Sequence, residues 1–209
     1  MSHTITLYVD GACRGNPGLG GWGAYIISEQ QEHKICGGED HTTNNRMELT
    51  AAIEGIQFCP KDAKLVIYTD SNYVKQGITE WIHGWKKKNW KDVKNPDLWQ
   101  KLDAICQGRE IEWHWIKGHA GHAGNEMADQ LANLGADLAL KNGEKSRHVP
   151  AIHFAASAEI KTQDIKKPEK DWLLDDPFGL ELVEAEEMDE LMADVTEVTM
   201  ETHLNNQSV

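Results

Sequence analysis

No apolar run in this chain approaches the ~20 residues that a helix needs to cross a bilayer, so an α-helical membrane protein is excluded. The start, Met-Ser-His-Thr, runs straight into a strand pattern and lacks the basic-then-apolar region of a secretory signal. Cysteine is scarce: Cys13, Cys36, Cys59 and Cys106 show no paired spacing, which argues against both a zinc site and a disulfide framework. Four reduced, packed thiols in a cytoplasmic protein are the expectation. The stretch Gly15-Asn16-Pro17-Gly18 is not followed by Lys-Ser/Thr, which excludes a phosphate-cradling nucleotide loop. Residues 171–209 contain no Lys or Arg at all but hold twelve acids, leaving 22 acids against 21 bases over residues 1–170. The overall charge of −13 therefore belongs almost wholly to the end of the chain. Within the near-neutral body, Lys86, Lys87, Lys88, Lys91, Lys94 and Lys101 crowd one stretch, so the molecule is electrically polarised.

What is present reads as an α/β domain. Thr4 to Asp10 alternates apolar and polar residues and predicts a strand, with Gly11 to Gly18 a loop on its glycine, proline and asparagine content. Trp22 to Ser28 and Lys34 to Gly37 predict a hairpin. Leu49, Ala52, Ile53 and Ile56 recur at helical spacing before Pro60. Leu65 to Thr69 is a short, β-branched strand suited to a sheet interior. Residues 71–90 suggest helix in pieces, broken near Gly77 and Gly84, and Pro96 opens a helix carrying Leu98, Trp99, Leu102 and Ile105. Glu110 to Ile116 alternates as a strand, and Met127, Leu131, Leu134 and Leu138 mark a closing helix. The order βββαβαααβα fits a mixed sheet flanked by helices. Residues 143–170 read as linker, and 171–209 as a disordered acidic tail. That tail carries Leu180, Val183, Met188, Leu191, Met192, Val195 and Val198 at near-helical spacing, a candidate to become helical on a protein partner.

Four carboxylates stand in distinctive contexts. Asp10 and Asp70 end apolar strand runs, Glu48 lies in the first turns of a helix, and Asp129 follows the glycine-rich stretch 117–124. Strand ends and helix starts are where a sheet of this class opens its ligand crevice. Glu48 shares a helical face with Ala52 and Ile56, so the side meeting the sheet carries a carboxylate. Acids gathered in one crevice cannot all stay charged unless a divalent cation sits among them; otherwise some are protonated. Oxygen-only ligands suit Mg²⁺ or Mn²⁺.

The motifs Tyr8-Val9-Asp10-Gly11, Gly15-Asn16-Pro17-Gly18, Thr43-Asn44-Asn45-Arg46-Met47-Glu48-Leu49, Thr69-Asp70-Ser71, Lys117-Gly118-His119-Ala120-Gly121 and Asn125-Glu126 with Asp129 resemble type 1 ribonuclease H of the bacterial kind. Trp81 to Lys88 is similar to that family's basic protrusion. The resemblance spans about residues 3–140, implying a catalytic domain at 1–142 with a ribonuclease H-like mixed five-stranded sheet. It implies an endonuclease that cuts the RNA strand of RNA/DNA hybrids, leaving 5′-phosphate and 3′-hydroxyl ends. Asp10, Glu48, Asp70 and Asp129 would hold two Mg²⁺ ions, with Mn²⁺ able to substitute. His119 would assist proton transfer or product release, whereas His122 in the same loop matches nothing. Asn16, Asn44, Asn45 and the backbone at Cys13 match positions that contact the RNA strand, Asn72 occupies a contact site that varies in the family, and Thr43 and Asn16 match positions that hold a DNA phosphate. Lys86, Lys87 and Lys88 would supply charge, and Trp81 and Trp85 flat apolar surfaces. A monomer is expected. The alternatives are a DNA nuclease of the same fold and a non-catalytic hybrid-binding adaptor.

Overall fold

The computed structural model describes residues 4–29, 31–118, 120–142 and 148–154. Among these, strands β1 (Thr4–Gly15), β2 (Gly18–Ile27), β3 (Glu32–Thr42), β4 (Lys64–Thr69), β5 (Ile111–Trp115) and β6 (His148–Phe154) form one sheet in the order β5-β4-β1-β2-β3-β6. The pairs β1–β4 and β4–β5 are parallel, and the rest are antiparallel. Helix α1 (Asn44–Phe58) crosses from β3 to β4. Between β4 and β5 lie α2 (Asn72–Gln76), a π-helical turn (Gly77–Trp81), α3 (Ile82–Lys87) and α4 (Pro96–Cys106), and α5 (Ala123–Asn142) follows β5.

The two faces of the sheet are covered on different principles. On one, Leu7, Val9, Ala24, Leu65 and Ile67 are fully buried, and Gly55 of α1 lets that helix rest on Leu7, Val9 and Ala24. Apolar burial of this kind, at roughly 25 cal/mol per Å², supplies most of the fold's stability. On the other face, Gly21, Gly23 and Gly38 leave no side chain between the strands and α5. A Cβ at Gly23 would stand 2.5 Å from the Ala128 carbonyl oxygen, so helix and sheet backbones are in direct contact. The buried face of α5 is accordingly Asn125, Ala128, Leu131, Ala132, Gly135, Ala136 and Ala139. The large residues Met127, Leu134 and Leu138 are only half-buried, which corrects the stripe expected from apolar spacing: close approach selects small residues.

The glycine-rich segment 11–18 is not a loop. β1 continues to Gly15, paired with β2 from Gly11↔Trp22 to Gly15↔Gly18, and only Asn16 and Pro17 make the turn. Its glycines answer tertiary contacts: a Cβ on Gly11 would lie 2.5 Å from the Glu48 backbone nitrogen. β3 likewise runs past Gly37 and Gly38 to Thr42, because Gly37 lies against the Trp22 ring and Gly38 against α5. The break expected at Gly77 is the π-helical turn, where Gly77 accommodates the buried ring of Trp99. Gly84 breaks nothing and sits exposed within α3.

The five expected strands are joined by a sixth. Residues 148–154, inside the stretch expected to be linker, form β6 and pair antiparallel with β3 from Lys34↔Phe154 to Glu39↔His148. Short-range pattern gave no sign of it because an edge strand is selected by the unpaired strand beside it. The acidic residues 171–209, and with them the proposed partner segment, lie outside the described residues. No helix among the described residues is long and apolar enough to cross a membrane.

Candidate active site

Asp10, Glu48 and Asp70 converge from β1, α1 and the end of β4, each placing one carboxylate oxygen within 4.8 Å of the others. Asp10 and Glu48 are buried, and Asp70 is partly exposed. The convergence has local causes. Asp10 pairs across the sheet with Gly23, one of the glycines that admits α5. Thr43 caps α1, its hydroxyl accepting from the Arg46 backbone N–H at 3.4 Å. Glu48 thus falls in the second turn of α1, beside the Cβ-less Gly11. Asp70 is the first residue beyond β4, and Ser71 caps the helix that follows.

Around the carboxylates runs a polar network. The Asn44 backbone N–H donates to Asn16 Oδ1 at 3.2 Å, and its side-chain amide donates to Glu48 Oε1 at 3.4 Å. Asn45 is buried beside them. Cys13 Sγ donates to the Gly15 and Thr42 carbonyls at 2.7 and 3.4 Å, stitching β1 to the end of β3. Arg46 forms a bidentate pair with Asp97 at 2.8 and 3.1 Å, and its hydrogen bonds hold the Asp97 carboxyl below the usual range. Asp129 stands on α5, outside the trio, where the Asn133 amide donates to its backbone carbonyl at 2.8 Å and its carboxylate at 3.2 Å. His119 lies outside the described residues. Asn72 opens α2 right after the Ser71 cap.

The basic protrusion is partly neutralised. Lys86 pairs with Asp103 at 2.9 Å, and Lys86, Lys87 and Lys88 are all exposed. Trp81 and Trp85 belong to an aromatic cluster, with ring centroids 5.8 Å apart and Trp85 5.0 Å from Trp99. Both remain half-exposed, so each has a packed side and an open side.

Three residues to which the sequence assigned no role touch Asp70. The indole N–H of Trp115 donates to the Asp70 backbone carbonyl at 2.9 Å. The Asn125 amide donates to Asp70 Oδ2 at 3.4 Å. A Cβ on Gly118 would come within 2.5 Å of the same oxygen. Asn125 appeared only as part of a motif, and Trp115 only as an alternating strand residue; the contacts join segments 45 and 55 positions apart.

The donor set fits a hard divalent cation. It is all oxygen, it carries more negative charge than a buried site tolerates alone, and the buried Asn125 Oδ1 beside it has no protein partner.

A model of the RNase H family matches residues 2–137. A ribonuclease H of Janthinobacterium sp. is 55% identical over 140 residues, covering 65% of this chain and 97% of that protein. A ribonuclease HI of Neisseria meningitidis is 54% identical over 141 residues, covering 65% and 97%. The crystal structure of LC9-RNase H1, a type 1 RNase H with the type 2 active-site motif, superposes with a TM-score of 0.62 at 33% identity, covering 66% of this chain and 74% of that one. LC11-RNase H1, solved in complex with RNA/DNA hybrid, gives a TM-score of 0.50 at 28% identity over 65% of this chain and 99% of that one. The chain belongs to the ribonuclease H family, on its type 1, bacterial ribonuclease HI branch. It is accordingly a hydrolase of the ribonuclease H class.

Proposed function

We propose that this ribonuclease H cuts the RNA strand of RNA/DNA hybrids endonucleolytically, leaving 5′-phosphate and 3′-hydroxyl ends. The observation that carries the reading is the trio Asp10, Glu48 and Asp70 within 4.8 Å at the mouth of the sheet. These three, with Asp129 on α5, would hold two Mg²⁺ ions, or Mn²⁺ in their place. Bound there, the cations supply water activation and charge stabilisation for in-line hydrolysis.

The chain's own residues do the rest. Asn16, Asn44, Asn45 and the backbone at Cys13 lie along the end of β1, the β1–β2 turn and the start of α1, where hydrogen bonds link Asn16 to Asn44 and Asn44 to Glu48. Groups so placed can read the 2′-hydroxyls of a hybrid's minor groove and pass that alignment to the carboxylate. Asn72 extends the same readout. Thr43 and Asn16 hold a phosphate of the DNA strand, while Lys87, Lys88 and the open faces of Trp81 and Trp85 grip the backbone further along. His119 shuttles a proton or speeds product release. The complex of LC11-RNase H1 with RNA/DNA hybrid supports the substrate class.

The test is cleavage of end-labelled hybrid, duplex DNA and duplex RNA of one sequence, with Mg²⁺, with Mn²⁺ and with chelator. Metal-dependent cutting of the RNA strand in hybrid alone is expected. Cutting of duplex DNA would move the reading to a DNA nuclease of the same fold, and hybrid binding without cutting to an adaptor.

A further inference from the structure

Asp70 stands just past the end of its strand. The β4–β5 ladder ends at Thr69↔Trp115, with the Ile116 N–H donating to the Thr69 carbonyl at 3.0 Å. Asp70 is thus one residue beyond the last paired position, where a strand no longer dictates the direction of the chain. We infer that Trp115 and Asn125 are positioning residues that clamp Asp70, one by its backbone and one by its carboxylate, so that it meets Asp10 and Glu48; the inference rests on the metal-dependent hydrolysis proposed above.

The indole takes over where the ladder stops. Trp115 Nε1 donates to the Asp70 carbonyl at 2.9 Å, in effect one more cross-strand bond made by a side chain. Packing explains this tryptophan only in part. Its exposure is 43%, and apart from Leu140 it is the exposed large apolar residue of the described chain. A ring left this exposed realises only part of the burial energy of a tryptophan, and the directed N–H adds a specific contact to it. Asn125 acts from the opposite side. It is 2% exposed at the start of α5, and its amide reaches Asp70 Oδ2 at 3.4 Å. Gly118 completes the enclosure, since any side chain there would displace the same oxygen. Asp70 is therefore held on its backbone by β5, while its carboxylate is bounded by the turn after β5 and by α5. Partners that orient a metal-ligating carboxylate matter nearly as much as the ligand, with losses of about 10–100-fold when removed.

The experiment uses the full chain with Trp115→Phe, which keeps an aromatic ring and removes the N–H, and with Asn125→Ala. Mn²⁺ is titrated calorimetrically into substrate-free protein, kcat and KM are measured on hybrid, and thermal unfolding is followed in chelator. Each variant should bind Mn²⁺ about tenfold more weakly and lose a comparable factor in kcat, with KM within about twofold and W115F unfolding at the parent temperature in chelator. Parent-like Mn²⁺ affinity in both variants overturns the clamp. So does a loss confined to KM, which makes Trp115 a substrate contact. A parent protein that binds Mn²⁺ but cuts no hybrid sinks the proposed substrate alone, and weaker Mn²⁺ binding by the variants then still supports the clamp.

Discussion

Gly11→Ala should disable the enzyme without touching any carboxylate. The added Cβ would stand 2.5 Å from the Glu48 backbone nitrogen, 2.8 Å from the Met47 carbonyl carbon and 3.0 Å from Glu48 Cα. All three are backbone atoms, so no side-chain rotation relieves the contact. An ordinary contact begins near 3.4 Å, which requires a separation of 3.4 less 2.5, or 0.9 Å, between β1 and the second turn of α1. Glu48 rides on that turn and Asp10 on that strand, so the shift enters the carboxylate trio directly. A misplacement of about 1 Å costs on the order of 10²-fold in rate. Overpacking should also destabilise the fold by about 1–3 kcal/mol, a fall in Tm of roughly 2–4 °C per kcal/mol for a chain of this size. The assay is single-turnover cleavage of hybrid at saturating Mg²⁺, beside thermal unfolding. Gly84→Ala is the control: nothing lies within 4 Å of its Cβ, and an alanine inside α3 should be neutral or slightly stabilising. Parent-like cleavage by Gly11→Ala would refute the claim that this glycine sets the distance from Glu48 to Asp10.

Asp70→Asn keeps shape and removes charge, so hybrid cleavage should collapse while the metal-free Tm holds or rises through relief of like-charge repulsion; near-normal cleavage would remove Asp70 from the metal site. Lys87→Ala should lower the salt dependence of hybrid binding by up to about 0.9 in log–log slope, and Lys86→Ala by less because Asp103 already pairs with it; equal slopes would show that this ion pair opens on binding. A chain ending at Asn142 should fold and retain hybrid cleavage, since 140 aligned residues make up 97% of a ribonuclease H that is 55% identical, and an unfolded product would make β6 part of the essential fold.

The local signals were strong where one segment settles the outcome. Alternation at Thr4–Asp10 and the short β-branched apolar run Leu65–Thr69 marked two strands, and the i, i+3, i+4, i+7 spacing marked α1 at Leu49, Ala52, Ile53 and Ile56, which are fully buried as that spacing requires. Those elements carry Asp10, Asp70 and Glu48, so the trio was legible before any fold was known. The reading went astray where residue choice answers a distant surface. Gly11 to Gly15 look like loop residues, yet they are strand, with Gly11 spaced for α1. Of the stripe Met127, Leu131, Leu134 and Leu138 only Leu131 is fully buried, and the contact face of α5 is built mostly from alanine and glycine.

By itself the sequence marked Asp10, Glu48 and Asp70 as acids on elements that meet, and its order of motifs pointed to the family. Periodicity and motif order are properties of contiguous residues, and they need no coordinates. Only the tertiary structure decided how those groups are held. It showed a sixth strand along β3, Lys86 committed to Asp103, and Asp70 enclosed by Trp115, Gly118 and Asn125. The physical reason is range. A hydrogen bond between residues 45 positions apart leaves no trace in the spacing around either one, because it exists only after the sheet has brought their strands side by side.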